Sequence, residues 1–138
     1  MAQQHEARYK NQYLQQFYLD KLQMKNVRLG PLPNVPLSQA FKVTQRRADA
    51  IVKDGTNILI IETKLDRQAQ AVGQLKLYKE LFYKTPELRE WSQYSVQLEL
   101  VVPVRDAMVE GLCHSEGIKY VVFGPQWVLN LLAVKQGR

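Results

Sequence analysis

The run Ile58-Leu59-Ile60-Ile61-Glu62-Thr63-Lys64 is the most informative segment of the sequence. Its first four residues are apolar on both faces of an extended chain, which predicts a central β-strand covered on both sides. Because successive side chains in a strand alternate between its faces, Glu62 and Lys64 share one face and Thr63 points the other way. Charged groups extending from a doubly buried strand are costly unless something compensates them. The segment therefore predicts a functional site at the end of this strand, with a solvated Glu–Lys pair as the ordinary alternative.

The segment Asp54-Gly55-Thr56-Asn57, directly before this strand, has the composition of a turn between two extended runs. If these four residues form the loop, Asp49 lies directly opposite Glu62, with Cβ atoms about 4.5 to 5.5 Å apart. If only Asp54-Gly55 formed the loop, Asp49 would face Ile60 instead. We prefer the four-residue loop because it brings both acids to one site.

A pair of facing carboxylates has a chemical consequence at this corner of the hairpin. Asp49 and Glu62 repel each other unless a proton or a cation lies between them. Mg²⁺ takes about one or two protein carboxylates together with water and phosphate oxygens, and the two acids offer such a set. The hairpin register therefore predicts a site for a divalent cation.

Apolar spacing and breaker residues predict alternating helices and strands along the rest of the chain. The predicted helices cover residues 5–25, 68–84, 105–116 and 125–135, and the predicted strands cover residues 48–53, 58–64, 96–104 and 120–123. Three prolines within residues 30–36 mark a loop. The order predicts one α/β domain, residues 1–138, whose mixed central sheet is flanked by helices, antiparallel at the hairpin and parallel later.

The composition is that of a globular protein with a basic balance. The 138 residues carry 19 Lys and Arg against 13 Asp and Glu, and the net charge of +6 favours a polyanionic partner, with simple solubility as the alternative. The single cysteine, Cys113, excludes a disulfide framework and a four-cysteine zinc or iron–sulfur site. No secretory segment follows Met1, and no apolar run approaches the roughly 20 residues of a membrane span. We therefore expect an intracellular, cytoplasmic protein without a membrane partner.

Three motifs together resemble the PD-(D/E)XK nuclease superfamily, in particular its RecB-like and lambda-exonuclease-like branch. They are Arg47-Ala48-Asp49-Ala50-Ile51-Val52, Ile60-Ile61-Glu62-Thr63-Lys64 and Gln74-Leu75-Lys76-Leu77-Tyr78. The resemblance covers residues 5 to about 104 in the order of elements, and it implies a restriction-endonuclease-like core. Ala48 departs from the proline of the family's motif, and the branch with an iron–sulfur cluster is excluded because it needs four cysteines.

The resemblance implies a nuclease that hydrolyses phosphodiester bonds in DNA, with Mg²⁺ or Mn²⁺ as its cofactor. Asp49 and Glu62 would bind the metal together with the main-chain carbonyl of Thr63. Lys64 would orient or activate the attacking water and neutralise charge on the phosphate. Gln74 would steady Lys64 or the water, with a solvated helix position as its alternative.

Residues around the motifs extend the implied site. Glu6 matches the acid that many relatives carry on the first helix, as a further metal ligand or a brace of the site, and a solvated acid is the equal alternative. The residues expected to bind nucleic acid are Arg46, Arg47, Arg67, Lys76, Tyr78 and Lys79. For each cation a phosphate contact competes with ordinary surface charge, whereas Tyr78 is better explained by packing than by catalysis.

The same residues leave two other functions open. A Holliday-junction resolvase would perform the same chemistry as a dimer and would prefer four-way junctions. A non-catalytic nucleic-acid-binding or assembly subunit would keep the fold, but a degenerate site usually lacks one of the three polar residues present here. We therefore expect a nuclease of DNA repair or recombination. Its partners are DNA and, as open alternatives, a second copy of the chain or a larger nucleic-acid-processing complex.

Overall fold

Helices cover both faces of a mixed β-sheet in the computed structural model of the chain, which describes residues 2–18, 23–25, 27, 29, 30 and 48–135. The helices are α1 (Ala2–Phe17), α2 (Gln68–Phe82), α3 (Ala107–Ser115) and α4 (Gln126–Lys135), with a 3-10 helix at Pro86–Trp91. The strands are β1 (Gln23–Lys25), β2 (Ala50–Asp54), β3 (Asn57–Thr63), β4 (Ser95–Val102) and β5 (Ile118–Val122). This architecture confirms the predicted α/β fold with a mixed sheet flanked by helices.

The strands of the described ranges form one five-stranded sheet in the order β1-β2-β3-β4-β5. β2 runs antiparallel to both β1 and β3, whereas β3–β4 and β4–β5 are parallel pairs. Each parallel pair is joined through a helix, α2 in the first case and α3 in the second, because parallel neighbours need a crossover connection. The predicted change from antiparallel pairing at the hairpin to parallel pairing later is confirmed.

β3 is the middle strand of the sheet, and every residue from Ile58 to Thr63 is buried. Ile58 and Ile60 belong to the core between the sheet and α2, whereas Leu59 and Ile61 belong to a second core beneath α1 and α4. Two separate cores therefore explain why the strand is apolar on both faces, and the prediction of a doubly covered central strand is confirmed.

The register of the β2–β3 hairpin agrees with the prediction, although the turn is shorter. Lys53 pairs with Ile58, as expected, but pairing continues to Asp54 and Asn57. The turn therefore consists of two residues instead of four. Gly55, the first of them, has φ +61°, a left-handed conformation that favours glycine. Because the extra pair lies on the same ladder, the shorter turn leaves the predicted alignment of the two strands unchanged.

Helix α1 ends earlier than the sequence predicts. The prediction extends this helix to residue 25, but it ends at Phe17, and residues Gln23–Lys25 form β1 along the outer edge of β2. Met24, for example, pairs with Val52. The apolar row of the helix continues to Tyr18, so local spacing gives no stop signal. Pairing with a distant strand outweighs local propensity here, as tertiary context often does.

Helix α2 buries Tyr78 and packs the half-buried Leu81 against the core, as predicted, but the third residue of the predicted face is exposed. Leu77, placed on the core face by the sequence, is 41% exposed. The buried positions are Ala71, Val72, Leu75, Tyr78 and Phe82.

The proline-rich loop predicted within residues 30–36 falls almost entirely on residues outside the described ranges. None of the described helices combines the length and the apolar character needed to cross a membrane.

Candidate functional site

The end of β3 opens into a cavity of about 200 Å³. Its polar lining comes from the β2–β3 hairpin and from one face of α1, and it consists of Glu6, Lys10, Asp49, Glu62, Thr63 and Lys64. Buried tyrosines dock α1 against the sheet at this point. Tyr9 is fully buried and donates a hydrogen bond to the carbonyl oxygen of Phe123 at 2.7 Å. The structure thus brings the two acids of the hairpin, the lysine after β3 and the acid of α1 into one place.

Asp49 is held by Thr63, the residue after Glu62. Oδ2 of Asp49 accepts hydrogen bonds from the main-chain N–H of Thr63 at 2.8 Å and from its hydroxyl at 2.9 Å. The main-chain N–H of Asp49 in turn donates to Oε1 of Glu62 at 3.3 Å. The sequence predicted only a carbonyl contribution from Thr63, because strict alternation points its side chain away. Asp49 precedes β2 and is therefore free to turn its carboxylate onto Thr63.

Glu62 is buried with little to stabilise its charge. Only 7% of the residue is exposed, and burial, which disfavours the charged carboxylate, raises its pKa to about 8 with a further contribution from the nearby Asp49. The hydrogen bond from Asp49 and the charges of Lys64 and Lys10 oppose this shift in the pKa. At neutral pH and without a cation, this upward shift of the pKa favours the protonated form of the Glu62 carboxyl.

Two lysines enter the cavity from different elements. Lys64 follows β3, and its main-chain N–H donates to the carbonyl oxygen of Val101 at 2.9 Å. Lys10 comes from α1, one helical turn after Glu6 and therefore on the same face. Both lysines are half-buried, and neither forms an ion pair with another described residue. Lys10 is not among the residues predicted from the sequence, and its spacing from Glu6 is the signal that could have revealed it.

The donor set of the cavity fits a small divalent cation. Oδ1 of Asp49 and Oε2 of Glu62 accept no hydrogen bond from the described residues. Two carboxylates are what Mg²⁺ takes from a protein when water and phosphate oxygens complete its shell. Over the described ranges no three His, Cys, Asp or Glu side chains are grouped to hold an ion. Glu6 lines the cavity wall, and its role as a ligand stays a prediction.

Two predicted residues of α2 lie away from the cavity lining. Oε1 of Gln74 is buried and has no hydrogen-bond partner within the described part of the chain. Gln74 does not line the cavity, and its role in steadying Lys64 or the water stays a prediction. Tyr78 is 5% exposed and belongs to the core beneath α2. Packing therefore explains Tyr78, as the sequence favoured, and its burial gives no support to a contact with nucleic acid.

A second cavity of about 300 Å³ adjoins the first. The two cavities share Glu6 and Lys64, and the second extends toward the start of α2 and toward α4. Arg67, predicted to bind nucleic acid, lies in its lining together with His5 and Gln70. The two cavities together form a groove, and Lys64 lies where they meet.

The remaining predicted contacts lie elsewhere or outside the described residues. Lys76 forms an ion pair with Glu116, and both Lys76 and Lys79 line a cavity beside the first half of β4. That cavity lies at the opposite end of the parallel strands from the groove, so these two lysines lie away from the site and their contact with nucleic acid stays a prediction. The other predicted cations, Arg46 and Arg47, fall within residues 41–47, which the structure does not describe.

The fold resembles that of a known nuclease. The solved structure described as "crystal structure of a repair endonuclease from Pyrococcus abyssi" matches this chain with a TM-score of 0.56 and 21% sequence identity. The match covers 87% of this chain and 47% of that one, so the chain spans about half the length of that protein. No family model matches the sequence, and no curated protein matches it either. At this identity the likeness concerns the fold, and activity has to be inferred from the site.

Proposed function

We propose that the chain is a metal-dependent nuclease that hydrolyses phosphodiester bonds in DNA and belongs to the RecB-like branch of the PD-(D/E)XK superfamily. The observation that carries this proposal is the convergence of Asp49, Glu62 and Lys64 in one cavity at the carboxyl end of the central strand. Two further facts support it. The fold is similar to that of a repair endonuclease, and the net charge of +6 favours a polyanionic substrate.

The two acids of the hairpin would hold Mg²⁺ or Mn²⁺ with the main-chain carbonyl of Thr63. Such an ion supplies Lewis-acid stabilisation of the charge on the phosphoryl oxygens when it is bound. Thr63 keeps the Asp49 carboxylate in place through two hydrogen bonds, so that Oδ1 remains directed to a ligand. Glu62 has to release its proton before it can act as a ligand, because its pKa lies near 8.

Lys64 supplies positive charge where negative charge develops. Hydrolysis consumes one water molecule: its oxygen bonds to phosphorus, one P–O ester bond breaks, and the leaving oxygen takes up a proton. The Lys64 ammonium forms no ion pair with the described residues, and it is therefore free to contact a phosphate oxygen or to orient the water. Its half-buried position strengthens this interaction relative to a fully solvated lysine.

The groove formed by the two cavities gives the substrate a path across the site. A phosphodiester bound beside Lys64 continues into the second cavity, where Arg67 and His5 can meet the neighbouring nucleotide. The half-buried Leu65 and Leu131 add apolar surface there for a sugar or a base. Lys76 and Lys79, at the opposite end of the strands, have no part in this path.

The direct test is a cleavage assay of the wild-type chain on single-stranded, duplex and four-way-junction DNA. Each substrate is incubated with Mg²⁺, with Mn²⁺ and with EDTA, and the products are resolved on a denaturing gel. We expect cutting that requires the divalent ion. Cutting that survives EDTA contradicts the proposed use of Asp49 and Glu62.

The same assay separates the competing functions. A junction resolvase would cut the four-way junction alone and would elute as a dimer in size-exclusion chromatography. A non-catalytic binding or assembly subunit would retain DNA in a filter-binding measurement and cut none of the substrates. That last result overturns the proposed function.

A further inference from the structure

Lys10 is a second cation in the cavity that the proposed chemistry has not used. It projects from α1, whereas Lys64 follows the end of β3, so the two ammonium groups reach the cavity from different walls. Lys10 is half-buried and forms no ion pair with any residue of the described ranges. Partial burial of an unpaired ammonium is unfavourable, so a partner for it is to be expected.

The charges around the cavity indicate what that partner is. Three carboxyl groups and two lysines line the wall. A divalent cation bound to Asp49 and Glu62 gives this set a net positive charge, and the cavity then attracts an anion. Without Lys10 the set would be neutral with the cation bound. Lys10 therefore changes the net charge of the loaded cavity from neutral to positive, which favours a phosphodiester.

We propose that Lys10 is a second phosphate-binding cation of the site, whose ammonium contacts the phosphodiester that is cut from the side opposite Lys64. This inference rests on the proposed function. The two lysines bracket the phosphoryl group, one from the helix and one from the strand end. Charge that builds on the non-bridging oxygens during hydrolysis is then stabilised from both sides.

A structural role for Lys10 makes different predictions. Lys10 shares a helix face with Glu6, and its charge acts on Glu62, so it could serve only to balance these acids. Loss of Lys10 would then lower the stability of the protein and leave its contacts with DNA unchanged. A measurement that counts phosphate contacts distinguishes the two roles.

The salt dependence of DNA binding counts these contacts. A fluorescent single-stranded oligonucleotide is titrated with the chain at several salt concentrations, with Ca²⁺ in place of Mg²⁺, and the oligonucleotide is checked for integrity afterwards. In Lys10→Met, which keeps the apolar stem of the side chain, the slope of log K against log salt should fall by about 0.7, the value for one lost contact with a single strand. Lys10→Arg keeps the charge and should keep the slope.

Lys84→Ala is the matched control, because it removes one positive charge from an exposed position outside both cavities of the groove. Its slope should equal that of the wild type. With Mg²⁺ and saturating DNA, Lys10→Met should lower kcat about 100-fold, whereas Lys84→Ala should leave it unchanged. A second neutral variant, Lys10→Gln, must give the same slope and rate as Lys10→Met.

The outcomes separate this inference from the proposed function. A wild-type chain that cuts no DNA overturns both. A wild-type chain that cuts DNA, together with folded Lys10→Met and Lys10→Gln variants of unchanged slope and rate, overturns the role of Lys10 alone. A lower melting temperature with an unchanged slope assigns Lys10 to charge balance and also overturns the inference.

Discussion

Two buried glutamates on neighbouring strands, Glu62 of β3 and Glu99 of β4, have opposite surroundings. Glu99 is fully buried and accepts hydrogen bonds from the hydroxyls of Tyr13 at 2.6 Å and Tyr18 at 3.1 Å. It also forms an ion pair with Lys119, whose Nζ lies 3.8 Å from Oε1. Glu62 receives one main-chain N–H at 3.3 Å and has another acid beside it. The two side chains leave the sheet on opposite faces, since Glu99 aligns with the residue before Glu62.

The difference shows how one residue type serves structure in one place and chemistry in another. The two hydroxyl donors to Glu99 come from α1 and from the residue directly after it, so this side chain fastens the helix to the sheet and has no need of a ligand. The carboxyl of Glu62 remains under-stabilised at the end of its strand, and a cation would relieve the repulsion from Asp49. We therefore infer that Glu62, the buried acid with fewer donors, is the functional one of the pair.

The largest expected effect is on catalysis, and it separates the two regions. Lys64→Ala should lower the rate of Mg²⁺-dependent cleavage about 100- to 1,000-fold, because it removes a cation that faces the reacting phosphate. Tyr13→Phe, in the Glu99 network, should lower the rate far less, because the ring that packs α1 against the sheet remains. Initial rates at saturating DNA measure both. Full activity of Lys64→Ala would remove the distinction between the two glutamates.

The second effect concerns stability against pH in the metal-free protein. The pKa of Glu62 is raised to about 8 in the folded state, above that of an unfolded chain, so the folded state binds the proton more tightly. The stabilisation of the folded state by this proton is complete below about pH 4.3, the pKa of a glutamate in an unfolded chain. It is lost as the pH rises through the folded pKa of about 8. Between these two pKa values, the free energy of unfolding of Glu62→Gln should therefore rise relative to that of wild type, by up to about 1.4 kcal/mol per pH unit.

Urea unfolding of wild type and Glu62→Gln in EDTA, from about pH 5 to pH 9, measures this difference. Lys84→Ala, which removes a charge from an exposed position outside the groove, is the control, and its difference from wild type should stay nearly constant over this pH range. Parallel curves for wild type and Glu62→Gln would contradict the raised pKa of Glu62.

The third effect is the cost of weakening the network around Glu99. Tyr13→Phe removes the shorter of the two hydroxyl contacts and leaves a buried carboxylate with fewer donors. We expect a loss of about 1 to 3 kcal/mol in the free energy of unfolding, the range for a buried polar group that loses its partner. Glu62→Gln in EDTA, at about pH 7, should stabilise the fold or leave it unchanged. An equal loss in both variants would contradict the comparison.

Much of the fold is predictable from the sequence because it depends on local patterns. The apolar run before Glu62 identifies the central strand. The register preferred because it brings Asp49 opposite Glu62 agrees with the observed pairing of Lys53 with Ile58, although the turn is shorter than predicted. β1 escapes prediction because three residues on a sheet edge carry almost no periodic signal of their own. The exposure of Leu77 could not be predicted from the sequence either, because the packing of α2 against the sheet sets the rotation of the helix.

The parts of the site that the sequence does not reveal depend on how α1 lies over the sheet. Lys10 reaches the cavity only because Tyr9 and Tyr13 dock the helix there. Tyr13 and Glu99 are separated by 86 positions along the chain, so no local pattern connects them. In the sequence Glu99 is an ordinary member of a valine- and leucine-rich strand. Its role appears only when the helix is placed on the sheet.

The central claim is that Asp49 and Glu62 form one cation site in which Glu62 holds a proton until the cation enters. Titration calorimetry of the metal-free protein with Mg²⁺ or Mn²⁺, in buffers of different ionisation enthalpy, counts the protons released on binding. Wild type should release close to one proton at about pH 6.5 and almost none at about pH 9.5. Asp49→Asn and Glu62→Gln should bind the ion more weakly, and Glu62→Gln should release no proton. Binding without proton release at the lower pH, or binding that neither substitution weakens, would contradict the account.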